Sequence, residues 1–314
     1  MIEKKKNPWL ILYITFSVII SFPSPSLFAE TVREPSVAGY FYPKDQKTLI
    51  KTVDDFIANT QEKQIDGKIL GLISPHAGYI FSGQTAAYSY REIKGQHYDT
   101  VIILGPSHRV YIKGASVGNW DAYSTPLGKV AVNKEIVHAL LDKGEDFRFV
   151  EGAHNREHSI ETQLPFLQRV LGNFDIVPIL MGASSLKDCE KISGILLEAA
   201  KNRNVLFVAS SDMSHYPDYI NANKVDQKTL SLIERGAPES VFNAEAEIFK
   251  QGVPNLSTTL CGLRAVVTVM MAVKNLGGNF SKILHYANSG DISIDGNQER
   301  RRVVGYGAVA FYKK

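Results

Sequence analysis

The chain has 314 residues, of which 44% are hydrophobic and 21% are charged, and its formal net charge is +3. This composition is typical of a globular protein with a sizeable core, and the small net charge argues against a nucleic-acid-binding protein. With only two cysteines, Cys189 and Cys261, the chain can form neither a disulfide framework nor a four-cysteine zinc site.

The amino terminus has the order of features that is typical of a secretory signal. Lys4–Lys6 is a positive start, residues 9–22 form an apolar run, and prolines and serines follow at 23–26. The sequence therefore predicts that residues 1–29 are an export signal and that residues 30–314 form the folded domain. An uncleaved membrane anchor is the alternative, although the apolar run is shorter than the roughly 20 residues of a full span. A buried first helix of the fold is a weaker alternative. We expect the protein to be exported or to be held at the membrane by this segment alone.

The first predicted site residue is His76, which follows a short apolar run. Residues 68–73 predict a buried strand and residues 82–90 predict a helix, so His76 lies on the turn between them. Open α/β sheets bind their ligands at this end of a strand. Pro75 fixes φ and Gly78 permits a left-handed backbone, which favours a turn shaped to hold one imidazole. A turn histidine that makes only local hydrogen bonds is the alternative.

The same pattern recurs at His108. Residues 100–104 are continuously apolar and predict a buried parallel strand, which ends in the sequence Gly-Pro-Ser-His at 105–108. Two strands that each deliver a histidine at the same sheet edge would bring the imidazoles together. We therefore expect His76 and His108 to share a site.

Two further strands are predicted at residues 175–182 and 205–209. The second of them ends in a turn that contains Asp212 and His215. A carboxylate that orients an imidazole is typical of acid–base catalysis, so this pair predicts a hydrogen bond between the two side chains. Asp212 as the N-cap of a short turn is the alternative.

A cluster of Glu157, His158 and Glu161 precedes a predicted helix that contains Pro165. His158 and Glu161 are three residues apart, which predicts that they share a helix face. Acidic residues that stabilise the dipole in a first helical turn are the alternative. Pro165 indicates either a kink or a helix that starts after the first polar residues.

Cys261 lies near the predicted amino terminus of the last long helix, where the helix dipole would favour a thiolate. Packing of a small side chain in the core is the alternative, and it is the expectation for Cys189. Two more strands are predicted at residues 282–287 and 303–311. Apolar strands that alternate with helices predict an α/β fold with a central, mostly parallel sheet.

Five stretches in this order resemble the Memo family, whose bacterial and archaeal members are also called AmmeMemoRadiSam system protein B. They are SPHAGY (74–79), LGPSH (104–108), EHSIE (157–161), SSDMSH (210–215) and TLCG (259–262). The resemblance runs from about Arg33 to the carboxyl terminus. It implies a single three-layer α/β domain similar to the class III extradiol dioxygenases of the LigB type.

The resemblance also implies a metal site. Those dioxygenases hold iron(II) with two histidines and one glutamate, and the matching residues here are His76, His108 and, in place of the glutamate, Cys261. His215 matches the histidine that serves as acid or base, with Asp212 beside it. Iron is the first expectation, and copper and zinc are the alternatives. Because a thiolate is softer than a carboxylate, the resemblance does not by itself imply the dioxygenase reaction. Contacts to the substrate or to the metal ligands are expected from His158, Glu161, Tyr79 and Ser107.

These features together predict a metal-dependent redox protein with a dioxygenase-like site that acts on dioxygen or on an unidentified small molecule. The alternative is a non-catalytic metal-binding, peptide-binding or signalling module, because a fold does not determine a function. A zinc hydrolase is a third alternative. No nucleic-acid partner is expected, and the sequence does not indicate an oligomeric state.

Overall fold

The structure, a computed structural model, describes residues 1–3, 29–61 and 63–314. Residues 4–28, which hold most of the predicted export signal, lie outside the described part. All the elements below belong to the compact unit Thr31–Lys314. Within the described residues, no helix is both long enough and apolar enough to cross a bilayer.

The described residues form eleven strands and nine α-helices. The strands are β1 (Val32–Arg33), β2 (Lys68–Ser74), β3 (Thr100–Pro106), β4 (Ala115–Val117), β5 (Ala122–Thr125), β6 (Gly128–Ala131), β7 (Phe147–Arg148), β8 (Asp175–Met181), β9 (Val205–Ser210), β10 (Phe280–Asn288) and β11 (Gly305–Lys313). The α-helices are α1 (Gln46–Ala58), α2 (Tyr79–Arg91), α3 (Lys134–Leu141), α4 (Glu151–His154), α5 (Leu164–Val170), α6 (Leu186–Ala199), α7 (Tyr219–Glu234), α8 (Pro238–Lys250) and α9 (Leu263–Asn275).

The main sheet has the strand order β10-β11-β2-β9-β3-β8-β4-β7. Its central strands β2, β9, β3 and β8 run parallel, whereas β11 pairs antiparallel with β2 and β4 pairs antiparallel with β8. The central strands β3 and β9 are buried along their whole length, as expected for parallel strands covered on both faces. A second, smaller sheet contains β1, β5 and β6. The predicted parallel centre is confirmed, with antiparallel strands added on both sides of it.

Helices on both faces of the main sheet complete three layers. One group contains α1, α2 and α5, and the other contains α6, α8 and α9. Gly71 in β2 allows a close approach of the second group, because a Cβ there would lie 2.8 Å from a methyl carbon of Val273 in α9. The predicted three-layer α/β fold is therefore confirmed.

The chain around His158 differs from the predicted helix. Residues 157–160 are not helical, a 3-10 helix covers Glu161–Gln163, and α5 begins only at Leu164. Pro165 lies in the first turn of α5, where its missing N–H costs no hydrogen bond. The prediction that His158 and Glu161 share a helix face was wrong. The later helix start, one of the two outcomes that Pro165 indicated, is confirmed.

Candidate metal centre

Three neighbouring strands end at one edge of the sheet and bring predicted site residues together. β9 lies between β2 and β3, and the three strands run parallel. Their carboxyl ends therefore carry the turns with His76, His108 and Asp212 to the same edge. The ring centroids of His76 and His108 are 5.1 Å apart, and the ring planes are inclined at 82°. The two imidazoles thus contact each other edge to face.

A buried hydrogen-bond network determines which nitrogen of His76 carries the proton. The Ser210 hydroxyl lies 2.5 Å from the Ser159 carbonyl oxygen, which can only accept, so the hydroxyl hydrogen points there. The Ser210 oxygen then accepts from Gln163 Nε2 at 2.8 Å and from His76 Nδ1 at 2.9 Å. Nδ1 of His76 is therefore protonated, and Nε2 carries the lone pair that can bind a cation.

Gln163 is fixed in its orientation by two further partners. Its Nε2 donates to the Pro75 carbonyl at 3.0 Å, and its Oε1 accepts from the Tyr90 hydroxyl at 2.6 Å. Because a carbonyl can only accept, the Pro75 contact assigns the amide orientation. Sequence reasoning missed Gln163 and Ser210. The available signal was position, since Ser210 opens the SSDMSH stretch and Gln163 follows EHSIE by two residues.

His108 is oriented by Glu157. Sequence analysis named this residue only as a member of the cluster with His158 and Glu161 and predicted no contact with His108. Glu157 Oε2 accepts the backbone N–H of His108 at 2.7 Å, and Oε1 lies 2.9 Å from His108 Nδ1. Oε1 also accepts the N–H groups of His158 and Ser159, both at 2.9 Å. Burial acts to raise the pKa of Glu157, but the His108 hydrogen bond and the neighbouring imidazoles hold it well below its usual range. The ionised carboxylate accepts a hydrogen bond from the Nδ1–H group of His108. Nε2 is then the unprotonated nitrogen, and its lone pair is available to a metal.

His158 completes a group of three imidazoles. Its ring stacks on His108 with centroids 4.6 Å apart, and it lies 5.3 Å from the His76 ring. Phe41 also packs against His158, with the ring centroids 4.7 Å apart. Burial lowers the pKa values of His76 and His158, so both rings favour the neutral form that ligates metals.

Cys261 lies two residues before α9 begins, and its sulfur faces His76. Sγ is 3.2 Å from His76 Nε2, and it accepts the backbone N–H of Asp212 at 3.2 Å. Burial, reinforced by the Asp212 charge, raises the pKa of the thiol well above its usual range. Burial therefore acts against the thiolate that the position near the helix amino terminus led us to expect. A bound cation would reverse this balance. Cys189 is buried, and both cysteines are free.

The candidate donor atoms form two groups that share His76. One nitrogen from each of His76, His108 and His158 lies within 4.8 Å of the others, and so do donor atoms of His76, Asp212 and Cys261. The predicted ligand set of His76, His108 and Cys261 spans both groups. Around a tetrahedral cation, a nitrogen at about 2.1 Å and a sulfur at about 2.3 Å lie about 3.6 Å apart. The 3.2 Å between His76 Nε2 and Cys261 Sγ is close to this value. The donors fit a metal, and the ligand roles stay predictions.

Asp212 stabilises the turn after β2 and does not bond to His215. Its Oδ1 accepts the backbone N–H groups of His76 at 2.8 Å and Ala77 at 3.3 Å. Burial raises the pKa of Asp212, although these bonds act in the opposite direction. Within the described part of the chain, no hydrogen bond joins Asp212 to His215, so the expected bond does not form. The reason is the neighbouring position of β2 and β9, which places this carboxylate beside the N–H groups of the His76 turn.

His215 is held by its backbone, whereas its side chain ends without a partner. Its N–H donates to the Thr258 carbonyl at 3.1 Å, and its carbonyl accepts from the Ser257 N–H at 3.1 Å. Nε2 is buried and has no hydrogen-bond partner among the described residues. Burial lowers the pKa of His215, while the Asp212 charge acts to raise it. A buried nitrogen without a hydrogen-bond partner is rare, because leaving it unpaired is costly.

Glu161 lies in the core and anchors the segment that follows β1. It is fully buried and forms an ion pair with Arg33. Its carboxylate also accepts the N–H groups of Ser36 at 2.8 Å and Val37 at 3.0 Å, and the hydroxyl of Tyr42 at 2.6 Å. Through these bonds, the Glu161 carboxylate holds the segment that follows β1, from Ser36 to Tyr42.

Tyr79 and Ser107 donate their hydroxyl hydrogens to backbone carbonyls. The Tyr79 hydroxyl lies 2.6 Å from Thr162 O, and the Ser107 hydroxyl lies 2.6 Å from Val110 O. Ser107 also lines a cavity of about 330 Å³ that reaches Cys261. A role for either residue at a substrate stays a prediction.

Gly78 is the N-cap of α2 and has φ −53°. The left-handed backbone that a glycine permits therefore does not occur here.

The match to known proteins extends over most of the chain. Residues 33–310 match the family described as Memo-like protein. The chain is 38% identical over 268 residues to a MEMO1 family protein of Aquifex aeolicus, covering 85% of this chain and 96% of the relative. It is 35% identical over 285 residues to a MEMO1 family protein of Nitrosopumilus maritimus, covering 89% of this chain and 99% of the relative. The resemblance that the five stretches carried is thereby confirmed, and the chain belongs to the Memo family.

Proposed function

We propose that this protein binds one redox-active metal ion through His76, His108 and Cys261 and uses it to oxidise a small molecule with dioxygen. The supporting observation is the contact between His76 and Cys261. The unprotonated Nε2 of His76 lies 3.2 Å from Cys261 Sγ, so two potential ligand atoms face each other. Two histidines and one carboxylate with open positions hold iron in non-haem oxygenases, and here Cys261 would take the place of the carboxylate. Iron is therefore our first candidate, and copper and zinc are the alternatives.

The chain's contribution begins with ligand orientation. Ser210 accepts a hydrogen bond from Nδ1 of His76, and Glu157 accepts one from Nδ1 of His108. Both Nε2 lone pairs are therefore available to a cation. The Cys261 proton must leave before the sulfur can ligate, so metal binding releases a proton and strengthens as the pH rises. The metal would supply the redox chemistry, and the protein would fix its position and keep coordination positions open for dioxygen or substrate.

His215 is our candidate for proton transfer. Its Nε2 is buried and unpartnered within the described residues, and its lowered pKa favours the neutral form, which accepts a proton. Asp212 would act on it through charge, because its Oδ1 is already bonded to the His76 turn. His158, stacked on His108, is placed to contact a substrate or to serve as a further ligand.

Metal content after anaerobic purification tests the ligand set. We expect about one iron per chain in the wild type and a loss of at least tenfold in His76→Ala and Cys261→Ser. Cys189→Ser is the matched control and should retain the metal, because Cys189 is buried away from the imidazoles. Equal losses in the two cysteine variants would contradict the ligand role of Cys261. Zinc in place of iron would favour a hydrolase.

Oxygen consumption tests the redox activity. His215→Ala should keep its metal and lose most of the oxygen uptake measured with a catechol or a reductant. If the metal-loaded wild type consumes no oxygen with any of these compounds, the protein is a metal-binding or peptide-binding module instead.

We also propose that residues 1–29 direct the chain out of the cytoplasm or anchor it in the membrane. The support is the order of basic, apolar and helix-breaking residues at its start. Fractionation of cells that express the full chain should place it outside the cytoplasm, and deletion of residues 4–28 should retain it in the cytosol. Recovery of the full chain in the cytosol would contradict export.

A further inference from the structure

A cavity of about 700 Å³ lies beside the candidate metal centre. Ala77, which follows His76 in the chain, lines it, and so does Val304, whose backbone forms a bridge with His215. Its volume is within the usual range of small-ligand sites, roughly 300–1,000 Å³. A molecule in this cavity would therefore lie next to the proposed ligand His76 and the proposed proton carrier His215.

The walls of the cavity are mostly apolar. The large apolar side chains that line it are Phe81, Ile292, Ile294, Val304 and Tyr306. Ile294 is 39% exposed, so part of its apolar surface is in contact with water. A ligand with an apolar body would cover these side chains and gain the hydrophobic free energy of their burial.

The charges around the cavity favour an anionic end group. Arg302 is the cation that lines it, and its guanidinium lies over the Tyr216 ring at 4.8 Å. Within the described residues, Arg302 forms no ion pair. Glu299 also lines the cavity, but its carboxylate is paired with Arg301 at 3.1 Å. Asp295 is the remaining charged residue of the wall, and it opposes a second negative charge on the ligand.

The amino terminus of α2 adds to this preference. Ala77 precedes the N-cap Gly78, and Phe81 lies in the first turn of α2, which has no acidic residue and no side-chain cap. The positive end of the helix dipole therefore acts in the same direction as the Arg302 charge.

We propose that this cavity binds a monocarboxylate with an apolar body, the carboxylate at Arg302 and the body against Phe81 and Ile294. Its assignment as the substrate class of the oxidation rests on the proposed function, whereas the binding itself needs no metal. A single negative charge fits best because Arg302 is one cation and Asp295 repels a second anion.

Titration calorimetry on the metal-free full chain tests the proposal with three probes of equal chain length. Octanoate should bind at least tenfold more tightly than octanamide and octyltrimethylammonium. Arg302→Ala should weaken octanoate binding about tenfold, and Asp295→Asn should strengthen it two- to threefold. Arg300→Ala is the matched control, because Arg300 also lies over a tyrosine ring, Tyr219 at 4.5 Å, but does not line the cavity.

The outcomes separate this proposal from the proposed function. Equal affinity for the three probes, no measurable binding, or equal losses in Arg302→Ala and Arg300→Ala would overturn the carboxylate site. Each of these results leaves the metal content of the wild type unaffected. Conversely, octanoate binding that depends on Arg302 would stand even if no metal were found.

Discussion

Replacement of Asp226 by asparagine should remove a pH dependence from the folding stability. Asp226 lies in α7 with its side chain fully buried. It accepts the N–H of Ser214 at 2.9 Å and the hydroxyl of Tyr286 at 2.8 Å. Ser214 precedes His215, so this carboxyl holds the turn after β9 in place. Burial raises the pKa of Asp226 from 3.8 to about 7.

The size and sign of the effect follow from that pKa. Between about pH 4 and pH 7, the folded protein keeps the Asp226 proton while the unfolded chain has lost it. The stability contribution of Asp226 is therefore fully present below about pH 4 and is lost as the pH rises to about 7. At about 1.4 kcal/mol for each pH unit, the loss is about 4 kcal/mol. Asparagine has the shape of the protonated acid and does not titrate. Above pH 7, the free energy of unfolding of Asp226→Asn should therefore exceed that of the wild type by about this amount.

Urea unfolding at pH 5 and pH 8 measures the part of this loss that falls between pH 5 and pH 7, about 3 kcal/mol. The comparison of variant with wild type cancels the opposing titration of the buried histidines. Asp218→Asn is the control, because Asp218 caps the same helix and its hydrogen bonds lower its pKa, so it does not titrate in this range. If Asp226→Asn has the same stability relative to the wild type at both pH values, the protonation state that we assign to Asp226 is refuted.

Three further substitutions test the packing and the tautomer assignment. Gly305→Ala should cost at least about 2 kcal/mol in urea unfolding, because its Cβ would lie 1.9 Å from Asp226 Oδ2. Gly78→Ala should change stability by less than about 0.5 kcal/mol, because φ is −53° and the nearest atoms to a Cβ are 3.8 Å away. A loss above about 1 kcal/mol would contradict this account of Gly78. Ser210→Ala should lower metal affinity about 10- to 100-fold, since it removes the oxygen that accepts the Nδ1–H of His76 and so fixes its tautomer. Nitrogen-15 spectra of the metal-free protein should then show a mixture of His76 tautomers, and an unchanged single tautomer would contradict the network.

The sequence was most informative where the chemistry is local. Apolar runs followed by turns with proline placed His76 and His108 at strand ends, and parallel strands then carry both imidazoles to one edge. The start of α5 was readable from Pro165, because a proline in the first turn of a helix has no hydrogen bond to lose. These features depend on a few consecutive residues, so neighbouring residue types suffice to predict them.

The parts that sequence reasoning missed depend on residues that are far apart in the chain. Glu161 looked like a site residue, but its partner Arg33 is 128 positions away and draws it into the core. Asp212 looked like the partner of His215, but its carboxylate bonds to a turn on the neighbouring strand, 136 residues away. The thiol state of Cys261 depends on burial, which the residues around it do not reveal. Such contacts become visible only when the sheet order is known.

The Arg33–Glu161 pair limits how far the amino terminus can be trimmed. A protease that cut beyond Arg33 would leave a buried carboxylate without its countercharge, a change that typically costs about 3–5 kcal/mol. It would also loosen the segment that holds Phe41 against His158. Any maturation step compatible with the intact centre must therefore cleave before position 33.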